Sequence, residues 1–416
     1  MTASYPIRTI TPAEYEAFSA VPGQAFLEEL SPEAREHERR VTEFDRTIAA
    51  FDGTSMVGTA GAYTFRLTVP GGIADAAGVS AVSVLPSHRR RGILTDMMRH
   101  VVLDARQRDE AIAILYASES GIYGRFGFGT ATWQQRIRIG RGHGRLSVGP
   151  AVPESKELSL RVALPAEVRP DLIRVFDAML PRRPGMLARS ELWWDALLSD
   201  EPFQRDGMSQ LRCVLAEDEA GPRGYATYRT QSSWTDGLAD GTIRLRELMA
   251  LDPAAEAALW ADLFSRDLVG EVVAPSRPVD DPLLAMLADP RRAQPLVSDG
   301  LWVRLVDLPT AMVQRRYASA VDVVLDVLDR SMPDNAGRWR LTSGGPDDGG
   351  TAQCERSTAP ADLLVTASAL GAAYLGGASL GQLAAAGQIT ERTPGALARL
   401  AAAISWDPRP WCSMMF

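Results

Sequence analysis

The sequence predicts an α/β fold of the α+β kind, with mixed sheets divided among several domains. Residues 46–67 have the pattern of two strands around an Asp52-Gly53 turn. Residues 111–117 are apolar on both faces, as in a strand covered by helices. Apolar residues recur at helical spacing from Ile93 to Ala105 and predict a helix with one buried face. Because 416 residues exceed one ordinary core, we expect two or three domains.

Composition excludes several classes of protein. The chain is 46% hydrophobic and 23% charged, which is typical of soluble globular proteins. A net charge of −8 argues against nucleic-acid binding and favours a small cationic substrate. No segment has the length and polarity of a signal peptide or a membrane span, so we expect a cytoplasmic protein without membrane attachment. Three widely spaced cysteines and four histidines without a ligand motif predict no metal site.

An arginine-rich loop joins an apolar strand to the helix. Residues 79–86 form the strand, Arg89-Arg90-Arg91-Gly92 follow, and the helix begins at Ile93. Free N–H groups and the positive end of the helix dipole meet at such a junction. Arginine side chains add charge-assisted hydrogen bonds to an anion. The loop therefore predicts a pyrophosphate site, and the alternative is an exposed basic turn.

The chain contains a degenerate internal repeat. The strand, acidic turn and strand of residues 46–66 recur at residues 212–230, an offset of 166 positions. Where the first copy has the arginine loop, the second has Ala254-Ala255-Glu256-Ala257. This interpretation predicts that only the first copy binds a phosphate-bearing cofactor. Chance similarity of short strand patterns is the alternative.

Two changes in composition suggest domain boundaries. Residues 140–149 are rich in glycine, and residues 274–299 contain five prolines. We therefore predict domains at residues 1–150, 151–298 and 299–416. The last domain ends in an unusually apolar tail with two Trp, two Met and a final Phe416, which indicates a docked chain end.

These features resemble one known family. The segments VSVLPSHRRRGIL and LYASESGIYGRFGFG, with an apolar C-terminal Phe416, resemble the Eis (enhanced intracellular survival) family of GNAT-type N-acetyltransferases. The resemblance implies an N-terminal GNAT domain, a second degenerate GNAT-like domain and a C-terminal sterol carrier protein-like α+β domain. It also implies a homohexamer built as a trimer of dimers. Leu94 departs from the small residue of the general GNAT pattern but agrees with Eis-like proteins.

The same resemblance implies an acetyl-CoA site. The backbone of Val82, Ser83 and Val84 would lie along the cofactor, and Ser118 and Glu119 would border the site. The residues implied at the pyrophosphate are Arg90, Arg91, Gly92, Ile93, Leu94 and Thr95. A strand that splays from its neighbour would expose N–H groups that polarise the acetyl carbonyl.

Two residues are implied to be catalytic. Tyr123 would be the general acid that protonates the departing thiolate, and the α-carboxylate of Phe416 would be the general base. The implied reaction is acetyl transfer to primary amines of a cationic, aminoglycoside-like acceptor by direct attack. The acidic residues 26–36 could attract such a polycation, whereas Met415 adds no charge beside the carboxylate. The alternatives are a protein-lysine or polyamine acetyltransferase, or a non-catalytic lipid- or ligand-binding scaffold.

Overall fold

The computed structural model describes residues 5–147, 149, 158–346 and 349–416. It divides into two compact units, one made of Met1–Thr132 with Gly300–Phe416 and the other of Trp133–Asp299. The boundary predicted at residues 150 and 151 lies outside the described residues.

Twenty-one strands form within the described residues. They are β1 Ile7–Thr9, β2 Ile48–Asp52, β3 Ser55–Val69, β4 Gly72–Val84, β5 Ile112–Tyr116, β6 Gly129–Thr130, β7 Trp133–Gly140, β8 Ser159–Ala163, β9 Arg212–Asp218, β10 Gly221–Gln231, β11 Trp234–Thr235, β12 Leu238–Ala239, β13 Gly241–Ala250, β14 Val269–Pro278, β15 Leu296–Asp299, β16 Leu301–Leu305, β17 Val321–Leu328, β18 Gly337–Ser343, β19 Ala352–Arg356, β20 Leu363–Thr366 and β21 Ile389–Glu391.

Twelve α-helices form in the same part of the chain. They are α1 Tyr15–Phe26, α2 Pro32–Val41, α3 Ile93–Gln107, α4 Ser120–Tyr123, α5 Arg169–Met179, α6 Glu191–Leu198, α7 Pro253–Ser265, α8 Pro282–Met286, α9 Leu308–Gln314, α10 Ala367–Ala373, α11 Leu380–Ala385 and α12 Ala396–Ile404.

The first unit is built on a seven-stranded mixed sheet in the order β1-β2-β3-β4-β5-β16-β6. Strands β2, β3 and β4 are antiparallel neighbours, and β4 pairs with β5 in parallel through the crossover helix α3. The predicted apolar face of α3 is buried against the sheet, with Met97, Met98 and Val101 at most 2% exposed. The period of the apolar residues therefore identified the helix and its buried face.

Strand β16 completes this sheet from far along the chain. Leu301–Leu305 pairs antiparallel with β5 on one side and with β6 on the other. The sequence assigned these residues to the third domain, whereas their backbone pairing places them in the first sheet. Likewise, Trp133–Gly140 pairs with β14 and β15 in the second unit, although the sequence assigned it to the first domain. Apolar alternation identifies a strand but not its partner.

The C-terminal part of the first unit has its own five-stranded sheet, in the order β19-β18-β17-β20-β21. Helices α10 and α12 end near the buried Arg315, whose guanidinium donates to the carbonyls of Tyr374 (2.5 Å) and Ile404 (2.6 Å). The negative ends of two helix dipoles thus surround the cation. Burial lowers the pKa of Arg315.

The second unit repeats the first architecture. Its seven strands run in the order β15-β7-β14-β13-β10-β9-β8, with β13 and β14 parallel and joined by α7. The predicted echo of the first copy corresponds to the hairpin β9–β10. In the part of the chain that the structure describes, no helix is long and apolar enough to cross a membrane.

A buried ion pair holds the start of β2 to the end of α3. Arg46 donates to both carboxylate oxygens of Glu110, at 2.7 and 2.5 Å, and the two side chains are 0% and 3% exposed. We expect Glu110→Ala to lower the free energy of unfolding by about 3 kcal/mol, because it removes the two-point partner of a buried cation and leaves only Asp104, at 3.3 Å, to balance its charge. As a control, Asp322→Ala removes an exposed pair with Arg340 and should cost only about 0–1 kcal/mol. Equal losses in urea denaturation would contradict this ranking.

Candidate active site

Strand β4 contains a bulge near its C-terminal end. Thr59 of β3 pairs with Ser83, and the next pair is Gly61 with Ser80, so β4 has one extra residue between them. Ala81 accommodates this residue with a φ of 52°. Thr59 Oγ1 donates to the Ala81 carbonyl at 2.8 Å and lies 2.7 Å from Ser83 Oγ. The bulge is therefore held in place by side-chain hydrogen bonds.

Beyond the bulge, β4 separates from β5. Parallel pairing covers residues 76–78 with 112–114, and the described residues show no pairing of the two strands after that. The Leu85 N–H donates to the Val57 carbonyl at 2.9 Å. Because successive N–H groups of an extended strand point in opposite directions, the Val84 N–H faces away from β3 and toward the gap. The end of β4 can therefore pair with an extended ligand.

The arginine loop brings the N-terminus of α3 to this gap. Gly92 is the N-cap residue, and no side chain caps the N–H groups of Ile93, Leu94 and Thr95. Arg90 and Gly92 both have positive φ, 64° and 88°. The added Cβ of an alanine at Gly92 would meet no atom within 4 Å, so the glycine serves the backbone conformation. This geometry leaves a row of donors open to an anion.

The three arginines of the loop have different surroundings. Arg89 and Arg90 line a cavity beside the helix N-terminus. Arg91 instead donates to the Tyr5 hydroxyl at 2.8 Å and to the Ser87 carbonyl at 2.9 Å. Its side chain is thus engaged with the protein, and its predicted contact with cofactor stays a prediction.

The cavity has a volume of about 610 Å³. The predicted site residues that line it are Val82, Ser83, Val84, Arg90, Gly92, Ile93, Leu94, Thr95, Ser118, Glu119 and Tyr123. The fold therefore brings the loop, the splayed strand and the predicted acid into one space. Of the predicted site residues, Arg91 and Phe416 are not among the lining residues.

Six other residues also line the cavity: Ala25, Phe26, His88, Arg89, Ile122 and Arg125. The sequence indicated two of them, because Arg89 belongs to the predicted pyrophosphate loop and Phe26 to the acidic segment predicted to attract the acceptor. It did not single out His88, Ile122 and Arg125, although each lies within a motif that resembles the family. Ala25 carried no signal, and the end of α1 brings it to the cavity.

Tyr123 ends the short helix α4 and is 4% exposed. Burial raises the pKa of its phenol above the ordinary value, and the nearby charge of Glu119 raises it further. A hydrogen bond with Ser118 acts on the pKa in the opposite direction. The hydroxyl is therefore protonated at neutral pH, and its residue lines the cavity.

The C-terminal tail is docked, as its apolar composition indicates. Trp411, Cys412 and Met414 are at most 5% exposed, whereas Met415 is 69% exposed. The buried side chains leave little freedom to the last residues of the chain.

An aromatic cage holds the ring of Phe416. Its centroid lies 4.8 Å from that of Phe65, 5.6 Å from Tyr116 and 6.4 Å from Tyr63. A Cβ at Gly78 would overlap the Phe65 ring and lie 3.1 Å from the Phe416 ring, so the cage needs a glycine there. Tyr116 ends β5, two residues before Ser118 of the cavity. The cage therefore holds the Phe416 ring near the point where β4 and β5 stop pairing.

The second copy fills the equivalent positions with its own side chains. The Asp252 carboxylate accepts hydrogen bonds from two N–H groups in the first turn of α7, at 2.9 and 3.0 Å. Arg277 donates to the Leu248 carbonyl (2.8 Å), where the first copy has Val82, and to Glu256 and Asp281. An anion at this helix would meet a carboxylate. This geometry favours the prediction that only the first copy binds a phosphate-bearing cofactor.

Sequence comparisons identify three domains along the chain. Profiles described as acetyltransferase (GNAT) domain match residues 6–131 and 185–305, and one described as sterol carrier protein domain matches residues 308–413. The N-acetyltransferase Eis of Mycobacterium tuberculosis is 32% identical over 389 residues, which are 92% of each chain. The chain belongs to the Eis family of GNAT-type N-acetyltransferases. The predicted family and enzyme class are confirmed.

Other relatives support the same conclusion. An uncharacterized N-acetyltransferase of Streptomyces avermitilis is 45% identical over 380 residues, which are 91% of each chain. The crystal structure of Eis1 from Mycobacterium abscessus superposes with a TM-score of 0.83 at 31% identity, over 99% of this chain and 100% of that one. The predicted fold of two GNAT domains and a sterol carrier protein-like domain is therefore confirmed. GNAT enzymes of this family use acetyl-CoA, which the loop and splayed strand fit chemically.

The arginine loop yields a direct binding test. Arg90→Ala removes a cation that lines the cavity, and we expect the Kd of CoA to rise about tenfold or more in calorimetric titration, because a charge-assisted hydrogen bond is lost. Arg91→Ala, whose guanidinium binds Tyr5 and Ser87, should change the Kd much less. If Arg90→Ala and Arg91→Ala raised the Kd equally, lining the cavity would not explain the contribution of Arg90 to cofactor binding.

The buried network of the second copy predicts a pH dependence of stability. One guanidinium, Arg277, faces two buried carboxylates, and burial raises the pKa of Glu256 from 4.5 to about 7. Because the folded state holds this proton more tightly than the unfolded state, the free energy of unfolding should fall as pH rises from about 4.5 to about 7. Glu256→Gln should lack this decrease. If the free energy of unfolding of the wild-type protein and of Glu256→Gln changed with pH in parallel, the role of Glu256 would be refuted.

Proposed function

We propose that the enzyme transfers the acetyl group of acetyl-CoA to primary amines of a cationic, aminoglycoside-like acceptor by direct attack. One observation carries the proposal: the splayed end of β4, the uncapped N-terminus of α3 and the buried Tyr123 line a single cavity. A cofactor in which an extended arm joins a pyrophosphate to a terminal thioester matches that order of groups.

The first half of the proposed site binds the cofactor. The N–H groups of Ile93, Leu94 and Thr95 and the guanidinium of Arg90 would bind the pyrophosphate. The backbone at the end of β4 would pair with the extended arm of the cofactor, and Ser118 and Glu119 would border it. A free N–H group such as that of Val84 would polarise the acetyl carbonyl.

The second half of the proposed site transfers protons during the reaction. The acceptor nitrogen forms a bond to the acetyl carbon, and the carbon–sulfur bond breaks. Tyr123 would donate its proton to the departing sulfur and regain one from water. Its raised pKa supports this role, because the phenol stays protonated at neutral pH.

The proton lost by the amine would pass to the α-carboxylate of Phe416 through a water molecule. A terminal carboxylate has a reference pKa of about 3.3–3.7 and is a weak base, so it must be held close to its partner to act. The aromatic cage of Tyr63, Phe65 and Tyr116 supports the assignment, since it fixes the terminal residue.

The negative charge of the protein supports a cationic acceptor. The chain carries a net charge of −8, and the end of α1 contributes Phe26 to the cavity, two positions before Glu28. A field of negative charge attracts polycations. Aminoglycosides, polyamines and lysine peptides share that chemistry, and an acceptor panel read by thiol release and mass shift separates them.

The proposal also covers assembly and location. The family resemblance supports a homohexamer arranged as a trimer of dimers. The composition supports a cytoplasmic location. Light scattering of the purified protein at the mass of a monomer would contradict the hexamer.

The catalytic assignments predict a separation of turnover from binding. Tyr123→Phe should lower kcat about 100- to 10,000-fold, as loss of a general acid does, and leave the Kd of CoA nearly unchanged. A peptide tag after Phe416 should also abolish turnover, because it converts the carboxylate to an amide, whereas the same tag before Met1 is the matched control. Undiminished thiol release from either Tyr123→Phe or the C-terminally tagged protein would remove the corresponding role.

A further inference from the structure

The segment that carries Tyr123 has little structure of its own. Helix α4 spans four residues, and its N-cap residue, Glu119, makes no side-chain capping bond. A single 3₁₀ turn, Gly124–Phe126, follows, and Gly127 then reverses the chain with a φ of 82°. Helices this short are not stable alone. The position of the Tyr123 hydroxyl must therefore depend on contacts from elsewhere.

Three residues from the C-terminal part of the chain supply such contacts, and we name them the Asp329 strut: Arg304, Asp329 and Ser331. Arg304 of β16 donates to Asp329 at 2.5 Å, and the two side chains are 1% and 2% exposed. Asp329 also accepts the backbone N–H of Ser331 at 3.1 Å and that of Met332 at 2.9 Å. The strut is thus a buried, charge-assisted network.

The strut reaches the Tyr123 segment at two adjoining points. The Ser331 hydroxyl lies 3.2 Å from the Phe126 carbonyl and 3.2 Å from Asp329, and it shares its proton between these acceptors. Gly127 lies directly against Arg304. A Cβ added at Gly127 would overlap the guanidinium of Arg304. The Tyr123 carbonyl accepts the N–H of Phe128 at 3.3 Å, which links the same turn back to the tyrosine.

A third close approach lies just beyond. A Cβ at Gly129 would overlap the Ser368 carbonyl of α10, and one at Gly371 would overlap the Val303 carbonyl of β16. The backbones of β6, β16 and α10 therefore touch without intervening side chains. Interiors packed this closely transmit small displacements instead of absorbing them.

We propose that the Asp329 strut positions Tyr123 for acid catalysis, so that Asp329 and Ser331 of the sterol carrier protein-like domain, together with Arg304 of β16, set the geometry of the general acid. This inference rests on the proposed function, in which Tyr123 protonates the leaving thiolate. Arg304, Asp329 and Ser331 touch neither cofactor nor acceptor in this account. They are positioning residues, and their effect reaches the reaction only through Tyr123.

The test compares kcat, the KM for acetyl-CoA and thermal stability of the full-length enzyme. Gly127→Ala forces a Cβ into the Arg304 guanidinium and should lower kcat on the order of 100-fold, because a misplacement near 1 Å has that effect. Ser331→Ala removes one hydrogen bond and should lower kcat about 3- to 10-fold. The matched control is Gly124→Ala, at φ −57° with open space at the Cβ position, which should keep wild-type kcat.

A double-mutant cycle separates positioning from general destabilisation. If the strut acts through Tyr123, Gly127→Ala and Ser331→Ala should lower kcat little or not at all in a Tyr123→Phe background, with KM for acetyl-CoA unchanged. Full, multiplicative losses in that background, or wild-type kcat in both single variants, would overturn the inference while leaving the role of Tyr123 intact. Wild-type kcat in Tyr123→Phe itself would instead overturn the proposed function and the inference together. Ser331→Ala keeps the test decisive if Gly127→Ala does not fold.

Discussion

The insertion of β16 between β5 and β6 is the constraint on which the first unit depends. Backbone pairing places Leu301–Leu305 in a sheet whose other strands all lie before Thr132 in the chain. The residues that follow β16 are therefore held against the sheet that carries the cofactor cavity. Both the tail that ends in Phe416 and the Asp329 strut reach that sheet because β16 anchors the chain there.

The two GNAT copies differ at the end of the central strand and at the start of the helix that follows it. Both have a parallel strand pair joined by a helix, and in both the pairing of that strand stops before its end. In the first copy the exposed backbone and the helix N-terminus remain open. In the second, Arg277 bonds to the strand and Asp252 caps the helix. Buried polar groups need hydrogen-bond partners, and in the second copy the protein's own side chains supply them.

The sterol carrier protein-like domain has a different relation to the site. In the proposed mechanism it contributes Phe416 and, through the Asp329 strut, steadies the segment of Tyr123. Acid and base would then both depend on one domain, although the cofactor loop belongs to another. A short helix and a chain terminus are both flexible by nature, and each needs rigid surroundings before its proton transfer can be efficient.

Local features of the fold were readable from the amino-acid pattern alone. The period of apolar residues identified α3, the arginines and Gly92 marked its uncapped start, and the apolar composition of the tail indicated that the chain end is docked. These features depend on residues that are neighbours in the chain, so the sequence pattern is enough to predict them. Family motifs, not periodicity, pointed to Tyr123 and Phe416.

The packing of whole elements brings distant groups together in ways that local patterns do not show. It turns Arg91 toward Tyr5 and Ser87, brings Ala25 to the cavity, places β16 in the first sheet and assembles the cage around Phe416. Alternation along one strand is the same whichever neighbour the strand joins. For that reason the arginine loop and its helix could be predicted from neighbouring residues, whereas the contacts that support them could not.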